Sequence, residues 1–407
     1  MSATSLPAST EDLWLLPDGF DECMPEEAAR IEQLRRQSLD LADKWGYDHI
    51  MPPLVEFMDS LLIGTGADLD LRTFRLIDQA SGRVMGVRAD ISPQIARFDA
   101  YQARICMDMP ARYCYADSVL FANNEGRGSR SPLQFGAELF GCASLTSDLE
   151  ILHLMLEVLE LAGVADTHLS LGHVDVFRAL VDQSNLSMAE ERELFTLVQH
   201  KDQPQLEDYL SRLNIASENK WMLTALPDLN GDPDILSHAR SVLSPAGSRI
   251  QGAVDYLENI AMKLRERTPN LPIHVDLAEL RGYSYHTGIV FSAFLPGHGW
   301  DIARGGRYDG VGVAYGLNRP ATGFSIDLKT IVQLLVPGET VASRESIFAP
   351  VPVDDIEGRL LIAQLRQQGK RVILALSDQV LPYEIRDCTH IMERDDAGHW
   401  KVVRWQT

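Results

Sequence analysis

The period of the hydrophobic pattern changes twice along this chain. Up to about Gly172, and again from Ile273, short apolar or alternating segments have the spacing of strands. Between Val176 and Arg267 the spacing becomes that of charged helices, as in Glu190 to His200 and Ile250 to Arg265. Strand signals on both sides of a helical block predict an α+β fold in which residues 176–267 are an insertion. The core is then 12–175 together with 268–336.

Within that core the local signals are specific. Pro25 to Trp45 has Ile31, Leu34, Leu41, Ala42 and Trp45 at helical spacing, Pro25 at a favoured first position and Gly46 as a stop. Tyr47 to Pro53 reads as a short strand ended by a proline pair. Phe74 to Val87 reads as a hairpin turning at Ala80-Ser81-Gly82, and a helix begins at Asp90-Ile91-Ser92-Pro93. Arg112 to Phe121 and Gln134 to Phe140 are predicted to be an antiparallel pair joined by the polar loop 123–131. Ser147-Asp148-Leu149-Glu150 has the spacing of a capping box, opening a buried helix that runs to Leu161. Strands are expected at Leu169 to Gly172, Ile273 to Leu277 and Gly288 to Phe294. A boundary falls near Pro337-Gly338. Beyond it, Ser346 to Val351, Ile356 to Gln368 and Arg371 to Leu376 read as the β-α-β unit of a small C-terminal α/β domain over 337–407. Residues 1–11, polar and rich in Pro and Ser, read as a disordered tail.

Composition removes several functions. No apolar stretch is long enough for a membrane span, and the N-terminus lacks the basic start and apolar block of a secretory signal. The five cysteines form no Cys-x-x-Cys pair, which gives no support for zinc and points to reduced thiols in a cytoplasm. A net charge of −21, with 58 acidic against 37 basic residues, opposes binding of a phosphate backbone, so a tRNA substrate is not expected. Arg127 and Arg130 in one loop are a weak basic patch. No cofactor is implied.

Three separated segments carry chemistry that suits a small zwitterion. They are Arg88 to Ser92, Gln134 to Gly141, and Arg281-Gly282-Tyr283-Ser284-Tyr285-His286-Thr287-Gly288. On a strand, Gln134, Gly136 and Glu138 share one face, with Gly136 leaving room between two polar groups. Carboxylates for an ammonium, an arginine for a carboxylate and aromatic walls are what an amino-acid site needs, because buried ligand charges must be paired. From the residues alone, surface salt bridges plus a core amide are the favoured reading, since convergence is invisible in a sequence.

The order of these motifs resembles class II aminoacyl-tRNA synthetases, and histidyl-tRNA synthetase in particular. Residues 46–53 are similar to the first, dimer-forming motif, Gln134 to Gly141 to the end of the second, and Arg281 to Gly288 to the histidine-specific loop. Gly305 to Gly310 and Gly323 to Leu328 are similar to the final strands and third motif. The resemblance implies a class II antiparallel sheet flanked by helices. It also implies a histidine site in which Asp90, Ser92 and Gln134 meet the α-amino group. Glu138 and His286 would meet the imidazole, Tyr285 and Tyr308 would line the site, and Arg281 would face the carboxylate. The chain departs from the family at Asp90, where the family has Glu, and at His286, where it has Tyr.

Two further departures bear on catalysis. Where the synthetase's second motif has Phe-Arg-x-Glu the chain has Val119-Leu120-Phe121-Ala122, and where its third ends in Gly-Leu-Glu-Arg the chain has Asp327-Leu328-Lys329-Thr330. Losing a preorganised cation at developing phosphate charge costs roughly 10²- to 10⁵-fold in rate. A synthetase-like core without these arginines resembles the regulatory-subunit family of heteromeric ATP phosphoribosyltransferases, as does Arg88 to Arg97. That resemblance implies no catalytic residues and no metal. It implies a homodimer inside a hetero-oligomer with a short catalytic subunit, and L-histidine as feedback effector of the first step of histidine biosynthesis. A working histidyl-tRNA synthetase and a stand-alone histidine sensor are the alternatives.

Overall fold

The computed structural model describes residues 15–63, 67–104, 109–123, 128–335, 345–376 and 388–405. The expected tail 1–11, Cys106, Arg127 and the boundary at Pro337-Gly338 lie outside the described residues. The chain divides into two compact units, Met1–Leu335 and Val336–Thr407.

The strands of the first unit are β1 (Asp48–His49), β2 (Val55–Phe57), β3 (Phe74–Ile77), β4 (Val84–Val87), β5 (Ala111–Ser118), β6 (Leu133–Phe140), β7 (His168–His173), β8 (Asn230–Gly231), β9 (Ile273–Asp276), β10 (Ile289–Phe294), β11 (Asp301–Arg307) and β12 (Ala321–Asp327). Nine of them form one sheet in the order β1-β5-β6-β12-β11-β10-β7-β9-β8, and β2-β4-β3 form a small second sheet. Pairing in the large sheet is antiparallel except at β1 with β5 and β7 with β9. This is the α+β sheet that the motif order implied.

Alternation sorts the sheet into two faces. Phe135, Ala137 and Leu139 of β6, Phe324 and Ile326 of β12, and Ile289, Phe291 and Ala293 of β10 belong to the main core. Helices Pro25–Lys44, Leu145–Leu161 and Ser248–Arg267 supply the rest of that core, through Ile31, Leu34, Leu152, Met155, Val254 and Leu257. At about 25 cal/mol per Å² of apolar surface removed from water, this face dominates the stability of the unit. The opposite face therefore carries Gln134, Gly136 and Glu138 on β6, Gly323 and Ser325 on β12, and Arg304 and Gly306 on β11. Helix Ser92–Ala103 packs there with a smaller cluster including Ile91, Ile95, Tyr115 and Tyr308.

The first helix keeps the ends its sequence predicts, with Pro25 in its first turn, Trp45 as C-cap and Gly46 left-handed at φ +81. The hairpin is β3 and β4 as expected, with β2 added on the outer side of β4. Three readings are corrected. Only Asp48–His49 of the segment 47–53 forms a strand: Tyr47 is buried and donates its hydroxyl to Glu150 at 3.0 Å, and Pro52 and Pro53 have no amide to give to a ladder. The long helix begins at Leu145 with Ser144 as N-cap, so Ser147 to Glu150 is no capping box. Those polar groups are drawn elsewhere: Ser147 and Asp148 bind Arg307, and Glu150 takes Arg112 in two bonds. The insertion is not wholly helical, since β8 pairs with β9 at the sheet edge.

In the second unit, β13 (Ser346–Ala349), helix Ile356–Gln367 and β14 (Arg371–Leu374) form the expected parallel β-α-β unit. Two strands were not foreseen: β15 (His390–Arg394) and β16 (Trp400–Arg404), a hairpin turning at Asp395 to Gly398.

Candidate functional site

Glu138 is the centre of the polar face. It is 1% exposed, and three hydroxyls of the chain donate to it: Ser92 at 2.5 Å and Tyr115 at 3.2 Å to Oε1, and Tyr308 to Oε2. Burial pushes its carboxyl up to about 8 against the pull of these hydroxyls, so the protonated form predominates at neutral pH. Its place depends on Gly323, directly across on β12, since a Cβ there would overlap Oε2. The room expected above Gly136 is filled by the Tyr115 hydroxyl, because β5 register sets Tyr115 opposite that glycine.

Asp90, Ser92 and Gln134 stand beside it. Gln134 donates through Nε2 to Asp90 Oδ1 at 2.9 Å and accepts from the Ile91 amide at 3.2 Å. The Ser92 amide donates to Asp90 at 3.4 Å, at the first residue of helix Ser92–Ala103. The structure thus brings Asp90, Ser92, Gln134, Glu138 and Tyr308 into one network.

The loop Arg281 to Gly288 closes over this network. Gly282, at φ +68, makes a turn in which the amides of Tyr285 and His286 both donate to its carbonyl at 2.8 Å. The Tyr285 ring stacks on Tyr308 with centroids 4.9 Å apart. The His286 ring lies over Gly306, where a Cβ would stand 2.9 Å from Nδ1. Burial lowers the His286 pKa to about 4, so the ring is neutral at physiological pH. Among the described residues two buried polar atoms here make no hydrogen bond of good geometry, the Tyr285 hydroxyl and His286 Nδ1. Buried polar groups are ordinarily satisfied, and these two suit a polar ligand that brings its own donors and acceptors.

Arg281 is not brought to this network. It bonds Asp301 at 3.0 Å, pairs with Glu279 at 3.4 Å and lies over the Phe294 ring. Phe294 and Val290 share a face of β10, and Val290 is level with Gly306. Four residues of strand put the Arg281 anchorage about 13 Å from the Glu138 level.

The positions that lack arginine are tied into local structure. Thr330 donates to Asp327 at 2.6 Å in the first turn of its helix, and the Lys329 ammonium donates to the Ser131 carbonyl at 2.6 Å. Leu120 is half-buried, its amide bonded to Arg88. Arg88, fully buried, holds the carbonyls of Ser118 and Pro52 and pairs with Asp117 at 2.8 Å. Among the described residues no cluster of three metal-binding side chains occurs, and no helix is long and apolar enough to cross a membrane.

Sequence reasoning missed Tyr115, Gly323 and the residues of the insertion that hold the loop. Arg178 donates to the carbonyls of Tyr283 and His286 at 2.9 and 3.1 Å, and Tyr283 packs against Phe177 and Phe195 while donating to Glu191. Strand register and loop docking leave no mark in local spacing.

The sheet and this loop define a class II synthetase-like core of the histidyl type. Residues 19–331 match the histidyl-tRNA synthetase family, and residues 344–403 match the ATP phosphoribosyltransferase subunit HisZ C-terminal domain. A protein of Thioalkalivibrio sulfidiphilus named ATP phosphoribosyltransferase regulatory subunit is 47% identical over 96% of this chain and 98% of its own. One of the same name from Methylococcus capsulatus is 51% identical over 92% of each. The fold is also that of an ATP phosphoribosyltransferase regulatory subunit/histidyl-tRNA synthetase from Bacillus halodurans, with a TM-score of 0.82 at 23% identity over 93% of this chain and 97% of that one. The chain belongs to the ATP phosphoribosyltransferase regulatory subunit family, built on a histidyl-tRNA synthetase-like core.

Proposed function

We propose that this chain is a non-catalytic regulatory subunit that binds L-histidine and couples that binding to the activity of a short ATP phosphoribosyltransferase catalytic subunit. The observation that carries the reading is the contrast inside one core. The Glu138 network and the loop over it are kept, while Thr330, Lys329 and Leu120, at the synthetase's ATP side, serve local structure. Asp90, Ser92 and Gln134 meet the α-amino group, Glu138 and His286 the imidazole, and Tyr285 and Tyr308 wall the site. An imidazole N–H given to Glu138 favours its ionised form, so binding near neutral pH releases a proton.

The chain forms a two-fold dimer through residues 46–53 and docks on the catalytic subunit. Coupling requires histidine to bind two arrangements of the complex unequally, since equal affinity shifts nothing. The loop's ties to Arg178, and through Tyr283 to Phe177, Glu191 and Phe195, give the insertion a physical hold on the site. The test is turnover of a short catalytic subunit with and without this chain. The reading expects a rise in turnover on mixing and suppression by histidine. Histidine binding with no change in turnover would favour a stand-alone sensor.

A further inference from the structure

The site as described has no cation for the ligand's carboxylate, since Arg281 is bound to two acidic side chains at the far end of β10. The same face holds another. Arg304 of β11 lies two residues from Gly306, the glycine under the His286 ring, and alternation puts both on the polar face. Its neighbours across the sheet are Ser292 on β10 and Ser325 on β12, small residues that leave the surface beside it low. Its side chain is 56% exposed, and its one ion pair among the described residues is with Asp301 at 3.7 Å through Nε. Among the described residues its guanidinium makes no hydrogen bond, which leaves the fork of terminal nitrogens that fits a carboxylate free to take one. Its charge is felt at the His286 ring, whose pKa it helps to lower.

We infer that Arg304, rather than Arg281, anchors the carboxylate of the amino-acid ligand. This rests on the histidine-binding reading above. One turn of the β11 pleat, roughly 7 Å, separates Arg304 from Gly306. That suits a ligand whose ring lies between His286 and Glu138 and whose carboxylate points along the strand. Asp301 then has a definite role. It holds Arg281 tightly and Arg304 loosely, so Arg304 is the arginine that a ligand can recruit without leaving a carboxylate unpaired.

The experiment is calorimetry with L-histidine and with histamine, which keeps the ring and amine and lacks the carboxylate, on the wild type, R304Q, R304K and R281Q. Arg304 is exposed, so R304Q should fold, and R304K retains the charge without the fork. The inference expects R304Q to weaken histidine roughly 10- to 100-fold and histamine less than about 3-fold, with R304K between and R281Q near the wild type. It is overturned if R304Q leaves histidine affinity unchanged, if histidine and histamine fall together, or if R281Q shows the larger loss. A wild type that binds no histidine overturns the histidine reading and this inference together, whereas the preceding outcomes overturn the inference alone.

Discussion

The two halves of the synthetase-like site have been treated differently by this sequence. Around Glu138, buried hydroxyls, a buried carboxyl and a neutral imidazole are packed at a density that only a ligand or a strict structural need repays. Around Thr330 and Leu120, side chains cap a helix or bind loop carbonyls, the ordinary work of a protein surface. Affinity for an amino acid and chemistry on it can therefore be separated. The first resides in groups that contact the ligand, the second in cations aimed at phosphate, and a chain can lose the second while the first stays intact.

The strongest blow to the inner half comes from Gly323→Ala. Its methyl group would occupy the position of Glu138 Oε2, forcing the carboxyl off three hydroxyls at once. We expect a loss of about 3 kcal/mol in unfolding free energy by denaturant titration, from overpacking plus unpaired hydroxyls, and histidine affinity down by roughly 100-fold. Wild-type affinity in this variant would mean that the ligand sits elsewhere.

A subtler break uses pH. The unfolded chain ionises Glu138 near 4.5, whereas the folded protein keeps the proton up to about 8. The stability this group contributes is complete below pH 4.5 and is lost as the pH rises through about 8. Glu138→Gln cannot ionise, so the unfolding free energy of the wild type minus that of the variant should fall from pH 5 to 8. His286, held down to about 4, works in the opposite sense. Its contribution is present above pH 6.5 and is lost as the pH falls through about 4, in both proteins alike. A flat difference curve would show that Glu138 is ionised throughout.

The smallest effect belongs to the outer half. Thr330→Val removes one bond to Asp327, and about 1 kcal/mol of stability should go with it while histidine affinity stays within about 2-fold. A large loss of affinity would erase the contrast between the halves.

Much of this contrast was legible in the sequence because its signals are local. The helix from Pro25, the hairpin of β3 and β4, and the shared face of Gln134, Gly136 and Glu138 follow from spacing within a few residues. What stayed hidden depends on pairing over long separations. Tyr115 fills the space over Gly136, and Gly323 makes way for Glu138, only because of registers that no single strand encodes. Arg281 reads as the carboxylate anchor until Asp301, at the start of β11, and Glu279, two residues before Arg281, hold it away. Ser147 to Glu150 had the spacing of a capping box, but the buried Arg307 and the partly buried Arg112 offered its polar groups stronger partners.

The central claim is that this core holds histidine without activating it. It is tested most directly by histidine-dependent ATP–pyrophosphate exchange, run on the wild-type chain at a histidine concentration that calorimetry shows to be saturating. The account predicts exchange no greater than in the absence of protein. Exchange that rises with histidine and with protein concentration would contradict it, and would make the chain a synthetase.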